Sequence, residues 1–336
     1  MKKIAIPFLL LVMMGLMQAC GGGSTDEAAA GEGQAGEGES SAAGYPERPI
    51  EIIVGFGAGG GSDNFARAIA KELEDILDAT INIVNLEGAA GIHAADHVAR
   101  APADGYTIWS MTSNYPINLA SGNTPHDLST YKAIGRVQHD TMAFHALSDG
   151  RFADIDDLIA QAKESPGEIM IGGTGSAGFD ELVVRQFEEA TGTKLNYISY
   201  EGAGEMTAAL LGGHIDVIAE EPGPAMGYLQ EGTFNMLVAF ADAPLEGFED
   251  TPISTDIGID VTDGQNRGFM VHADTPPELV ALLEEALQEA KERPDYKAYE
   301  EANYLHLRDG WLNSEDFMKE LENLTETYGS ILEGLQ

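Results

Sequence analysis

Twice in this chain a short apolar run gives way to a glycine-rich loop and then to a helical pattern, and that repeat limits the folds open to it. The first instance is Ile50 to Val54, then Gly55-Phe-Gly-Ala-Gly-Gly-Gly-Ser-Asp63, then a helix expected over Asp63 to Leu77. The second is Glu168 to Gly172, the loop Gly173-Thr-Gly-Ser-Ala-Gly178, and a helix over Asp180 to Thr191. Short apolar runs bounded by glycine read as buried strands, and apolar residues at helical spacing read as amphipathic helices. Further strands are expected over Thr80 to Leu86, Tyr106 to Met111, Leu195 to Ser199, Ile215 to Ala219 and Met236 to Phe240. Helices are expected over Ala89 to Arg100, Ile155 to Glu164 and Glu205 to Leu211. Strands separated by helices imply parallel sheets, right-handed crossovers and ligands at the carboxyl ends of the strands. The expected class is therefore α/β, with two units that can close around one small ligand. The tail from Pro276 adds two helices, Glu278 to Glu292 and Ser314 to Leu332, with Ser314 as the N-cap of the second.

The N-terminus bears on the compartment. Lys2 and Lys3 precede the apolar run Ile4 to Met17, which leads into Gln18-Ala-Cys20. This reads as a signal peptide over 1–19, too short for the roughly 20 residues a spanning helix needs. Cys20 is the only cysteine and stands where a lipobox would be cut, so it is the expected lipidation site and no disulfide is expected. Residues 20–44 are Gly, Ala, Ser and acids after that cysteine, without large apolar side chains to offset their ordering entropy. They read as a flexible tether.

Charge excludes one class of partner. With 18 Lys and Arg against 56 Asp and Glu the chain carries −38, whereas nucleic-acid binding takes clustered basic residues. The same balance suits a protein adapted to high salt, where self-repulsion is screened over about 3 Å at 1 M.

The first loop satisfies G-x-G-x-x-G with Gly55, Gly57 and Gly60, yet the acid expected about 20 residues on is displaced to Glu87, and no P-loop lysine follows. His93 and His97 are one helical turn apart, but Ala94 stands where a zinc peptidase would have glutamate, and no third ligand is evident. Ser62 and Ser176 lack the G-x-S-x-G context of a nucleophile elbow. No cofactor, metal or catalytic residue is therefore expected. What the loops can do is bind an anion through main-chain N–H groups at helix N-termini. A carboxylate is favoured, because a chain so poor in Lys and Arg is expected to bind it with amides and hydroxyls. Four or five charge-assisted hydrogen bonds of about 1.5–3 kcal/mol each reach the roughly −8 kcal/mol of a micromolar ligand.

Several blocks resemble the substrate-binding proteins of tripartite tricarboxylate transporters, also called Bug receptors. They are Tyr45-Pro-Glu-Arg-Pro-Ile50, the first glycine loop, Asn85-Leu-Glu-Gly-Ala-Ala-Gly91, Ala103-Asp-Gly-Tyr-Thr107, Ser165-Pro-Gly167, Gly172 to Gly178, Tyr200-Glu-Gly-Ala-Gly204, Leu210-Leu-Gly-Gly-His-Ile-Asp216 and Ala273-Asp-Thr-Pro-Pro277. The resemblance implies a periplasmic-binding-protein (Venus flytrap) fold with a ligand cleft between two α/β domains: domain 1 from 45–146 and 269–336, domain 2 from 147–268. It implies an exported, lipid-anchored monomeric receptor that binds a small organic carboxylate and delivers it to membrane permease subunits. The alternative is a secreted α/β enzyme acting on a carboxylated molecule. Carried over by position, Phe56, Gly57, Ala58 and Gly60 would line one wall, with Thr112, Ser113 and Asn114 beside it. Thr174, Ser176, Gly178 and Gly202 would face them. Where relatives often have Asp-Asn, this chain has Glu220-Glu221, and Glu220 in the cleft could receive an ammonium group.

Overall fold

The computed structural model describes residues 44–334 apart from 260 and 263; the expected signal, Cys20 and most of the tether lie outside the described residues. β1 (Ile50–Val54) leads through the first glycine loop into α1 (Gly61–Leu77). Phe65, Ala66, Ile69, Ala70 and Leu73 recur at helical spacing and are all buried, which is why this segment is a helix with one face on the sheet. Phe65 stacks on Phe269 with 5.1 Å between ring centroids, and truncating such a side chain costs about 3–5 kcal/mol. Asp78, left-handed at φ 49°, ends the helix.

β2 (Ile81–Asn85), a 3₁₀ turn running into α2 (Ile92–Ala99), β3 (Thr107–Thr112) and α3 (Asn114–Ala120) follow. Then come β4 (Tyr131–His139) and β5 (Met142–Leu147), separated only by Asp140 and Thr141. α4 (Ile155–Glu164) starts at Asp154, whose carboxylate accepts from the Asp157 N–H at 2.9 Å. β6 (Met170–Thr174), α5 (Phe179–Thr191), β7 (Asn196–Tyr200), α6 (Ala203–Leu211), β8 (Val217–Glu220), α7 (Pro222–Gln230) and β9 (Phe234–Phe240) continue the chain. It ends with β10 (Asn266–His272), α8 (Pro277–Glu292), α9 (Pro294–Ala302), β11 (Leu312–Asn313) and α10 (Ser314–Gly334). Asn313, one residue before the expected Ser314, caps the last helix: its Oδ1 accepts from the Asp316 N–H at 2.8 Å, while the Ser314 N–H is taken by Glu284.

The strands form two sheets, ordered β11-β4-β10-β3-β1-β2 and β7-β6-β8-β5-β9. Neither is purely parallel, as strand–helix alternation had implied. β1 pairs in parallel with β2 and β3, and β6 with β7 and β8, but β10 runs antiparallel to both β3 and β4, and β5 to both β8 and β9. The reason is the route of the chain. It passes from the first sheet to the second through Asp140 and Thr141 and returns between β9 and β10, so strands at the crossings have no βαβ connection to make them parallel.

α10 ties the two cores together. Phe317 and Leu321 pack beside the first sheet, while Leu324 and Tyr328 join the core of the second, Tyr328 lying 6.3 Å from Phe179 between ring centroids. Among the described residues no helix is long and apolar enough to cross a membrane.

Candidate ligand cleft

Three helices with glycine at the N-cap begin at the junction of the sheets: α1 after Gly60, α5 after Gly178 and α6 after Gly202, none of them capped by its own N-cap side chain. Helix N-termini present unpaired N–H groups and the positive end of the dipole. Their closeness leaves little room for a side chain. A Cβ on Gly57 would lie 3.1 Å from the Gly202 Cα, and one on Gly60 would lie 3.3 Å from the Ala203 Cβ. The Gly57 N–H donates across the junction to the Glu201 carbonyl at 3.2 Å. From β2, the Asn85 amide donates to the Phe56 carbonyl at 2.9 Å and to Asp63 Oδ1 at 3.0 Å, which fixes the first loop on the sheet.

Between these elements lies a cavity of about 20 Å³ lined by Phe56, Gly57, Gly60, Asn114, Thr174 and Glu220, together with Gly61, Ser62, Ala203, Glu221, Gln265 and Arg267. By that measure it has room for about one water molecule. A roomier groove of about 530 Å³ lies outside the same junction, between α3, α5 and α10. It lacks comparable polar chemistry, because its Arg185 is already held by Glu181 and Glu188 at 2.9 Å each.

Arg267 is the residue that sequence reasoning missed. It stands near the start of β10, is 3% exposed, and reaches back to the cleft. Nη1 donates to Asp140 Oδ2 at 3.0 Å, Nη2 pairs with Glu221 Oε1, and Nε donates to Ser62 Oγ at 3.4 Å. One guanidinium thus joins the first crossing, the end of β8 and the start of α1. The expectation of a cleft built without basic side chains is corrected on this point. An arginine interrupting an apolar strand pattern, in a chain with few of them, was the available signal.

Four carboxyl groups surround that single cation. Burial opposes ionisation of Glu221, but the adjacent Arg267 holds its carboxyl below the usual range. Burial, then Glu221, pushes Asp140 up to about 7 against the pull of Arg267, and the same two causes raise Asp180 to about 7. Asp180 accepts from the Thr174 N–H and Oγ1–H at 2.7 and 2.8 Å. Glu220 is 5% exposed and raised well above the usual range by burial and by Glu221. His145, buried behind it with Nε2 at 3.1 Å from the Glu220 carbonyl oxygen, is pushed by burial down to about 4 and is neutral.

The other expected residues fall around the cavity. Thr112 is buried and its Oγ1 accepts from the Asn114 side chain at 3.1 Å. Ser113 accepts on Oγ from the Asn266 N–H at 2.8 Å, fastening β10 beside the cleft. Asn114 reaches across the junction, and its Oδ1 accepts from the Phe179 N–H at 2.7 Å, the first residue of α5. Gly178 lies against that oxygen and Gly202 against Gly57, while Ala58 and Ser176 are exposed. His93 bonds through Nδ1 to the Glu87 carbonyl oxygen at 2.8 Å. Among the described residues no three His, Cys, Asp or Glu are grouped to hold a metal ion.

Comparison with known proteins identifies this architecture. The model of the tripartite tricarboxylate transporter family receptor, TctC, matches residues 65–335. BugT of Bordetella pertussis is 28% identical over 254 residues, 73% of this chain and 77% of that protein. A TctC solute-binding protein from Polaromonas superposes with a TM-score of 0.63 at 26% identity, covering 86% of this chain and 99% of the other. MatC from Rhodopseudomonas palustris, solved with bound malate, shares the fold with a TM-score of 0.78 at 19% identity, over 85% of this chain and 99% of that one. The chain therefore belongs to the TctC family of tripartite tricarboxylate transporter receptors, which are solute-binding proteins and not enzymes.

Proposed function

We propose that this protein closes on a small organic carboxylate outside the cytoplasm and hands it to the permease subunits of a tripartite tricarboxylate-type transporter, while a lipid on Cys20 and the tether 20–44 hold it at the membrane. The observation that carries the reading is the convergence of glycine-capped helix N-termini on one buried cavity in a member of this receptor family. Amides at Gly60 and Gly202 hold the carboxylate, joined by that of Gly57 when opening of the cleft releases it from the Glu201 carbonyl, with Phe56, Asn114 and Thr174 as walls and Thr112 and Ser113 positioning Asn114 and β10. Malate bound to MatC supports the ligand class.

The crossings at Asp140–Thr141 and between β9 and β10 are the hinges. The first domain is then the first sheet with its helices, the second domain the second sheet. A cavity with room for about one water admits no such ligand unless the domains part. Ligand contacts to both walls then favour the closed form, and only that difference in affinity shifts the population. The acidic surface suits this cycle to high ionic strength.

The test is thermal unfolding of the full-length monomer in molar salt against di- and tricarboxylates, amino acids and aromatic acids. A true ligand at a hundredfold its Kd adds about 2.7 kcal/mol, a rise of several degrees. If every carboxylate leaves the melting temperature unmoved, the reading fails.

A further inference from the structure

Glu220 lacks a partner on one carboxyl oxygen, and the structure indicates what that oxygen receives. It closes β8 at the cavity wall, 5% exposed. Oε1 accepts a long bond of 3.3 Å from the Glu221 N–H, and Oε2, fully buried, has no hydrogen-bond partner. Its neighbours are engaged: Glu221 and Asp140 share Arg267, and Asp180 is bonded to Thr174. Four carboxyl groups thus lie in or beside a buried cleft that offers one guanidinium, and the guanidinium is already doubly paired. A buried charge is tolerated only when paired and hydrogen-bonded. A ligand with two or three carboxylates and no cation would bring buried negative charge that no free cation of the cleft pairs. A ligand that brings one ammonium with its carboxylate adds none, and supplies the donor that Oε2 lacks.

We infer that Glu220 is the ammonium-binding, specificity-determining residue of this receptor, and that its ligand is an α-amino acid or similar amine-bearing carboxylate. The inference rests on the carboxylate reading of the same cleft. Burial and Glu221 hold the Glu220 carboxyl well above its usual range, and an ammonium within hydrogen-bond reach draws it back toward the ionised form.

Calorimetry on the full-length protein tests this with acid pairs that differ only in the α-ammonium: alanine and propionate, aspartate and succinate, phenylalanine and hydrocinnamate. A charge-assisted bond to Glu220 predicts that, in the pair that fits the cleft, the amino acid binds about tenfold tighter or more than its parent acid. Glu220→Gln abolishes that preference, and Glu220→Asp, which retains the carboxylate, keeps its direction. Equal or tighter binding of the parent acid overturns the inference and makes Glu220 a neutral donor to the carboxylate. A preference that survives Glu220→Gln overturns it too. If no acid of any pair binds while another di- or tricarboxylate raises the melting temperature, the inference falls and the carboxylate reading stands; if no carboxylate does either, both fall.

Discussion

The first and second glycine loops follow the same local rule, strand then glycines then helix, but the helix N-termini they open meet different neighbours. In the second loop the donors are already occupied: Thr174 N–H by Asp180, Ala177 N–H by Glu181 and Phe179 N–H by Asn114 from the other side of the cleft. In the first loop Asp63 takes the Gly59 N–H at 2.9 Å and the Glu201 carbonyl takes the Gly57 N–H at 3.2 Å, while Gly60 and Gly61 at the start of α1 line the cavity beside Ser62 and Arg267. One loop is therefore suited to hold a ligand, and the other to hold the opposite wall. Local sequence makes an anion-binding helix start; whether that start is free depends on which side chain is delivered to it.

The sharpest way to break this comparison is to add one methyl group to each loop. At Gly178 a Cβ would fall 2.2 Å from Asn114 Oδ1, whereas at Gly60 the nearest atom it would meet is the Ala203 Cβ at 3.3 Å. The backbone at both positions is compatible with alanine. Gly178→Ala is expected to weaken ligand binding by about a hundredfold through loss of closure, the equivalent of about 2.7 kcal/mol, and Gly60→Ala by only a few-fold. Equal losses at the two sites, measured by titration with the ligand found by thermal shift, would mean that the loops are not specialised.

Asn114→Ala removes the acceptor but adds no bulk. Losing one buried hydrogen bond across the junction is expected to lower affinity about tenfold and to expand the ligand-bound form in small-angle scattering. Tighter binding instead would show that the ligand competes with Asn114 for the Phe179 N–H, and the second loop would then be a ligand site after all.

A smaller effect concerns Asp180, behind the second loop. Its carboxyl is raised from 3.8 to about 7, so between about pH 4 and 7 the folded protein holds a proton that the unfolded chain has lost. That contribution to stability is fully present below about pH 4 and is lost as pH rises through about 7. Asp140 acts in the same direction, while His145, lowered to about 4, acts in the opposite one over pH 4 to 6.5. Asp180→Asn should flatten the decline in melting temperature between pH 5 and 8 relative to the parent. An unchanged slope would place the titrating group elsewhere.

Legibility in the sequence followed the range of the forces involved. α4 was readable to the residue, since Asp154 caps it and Ser165-Pro-Gly167 stops it. β4 was not, because Arg136 and Gln138 are buried within it and break the apolar pattern. α7 was missed for a related reason: its run PGPAMGYLQ has two prolines and two glycines, a poor helix by propensity, yet Ala225 and Met226 are buried and packing overrides that preference. In the cleft, the glycine loops and Glu220-Glu221 stood out as motifs, whereas Arg267 had no motif around it.

The sequence alone determined the α/β class, the two glycine loops, the acid excess and the receptor family, since each is written in neighbouring residues or in the order of blocks along the chain. Tertiary structure decided which helix start is occupied and which carboxyl lacks a partner. Those outcomes rest on pairs far apart in the chain: Asn114 with Phe179, 65 residues away, and Arg267 with Glu221 and Ser62, 46 and 205 residues away. Burial set the rest, because it leaves one guanidinium to be shared among more carboxyl groups than it can pair, and burial is known only once both sheets are in place.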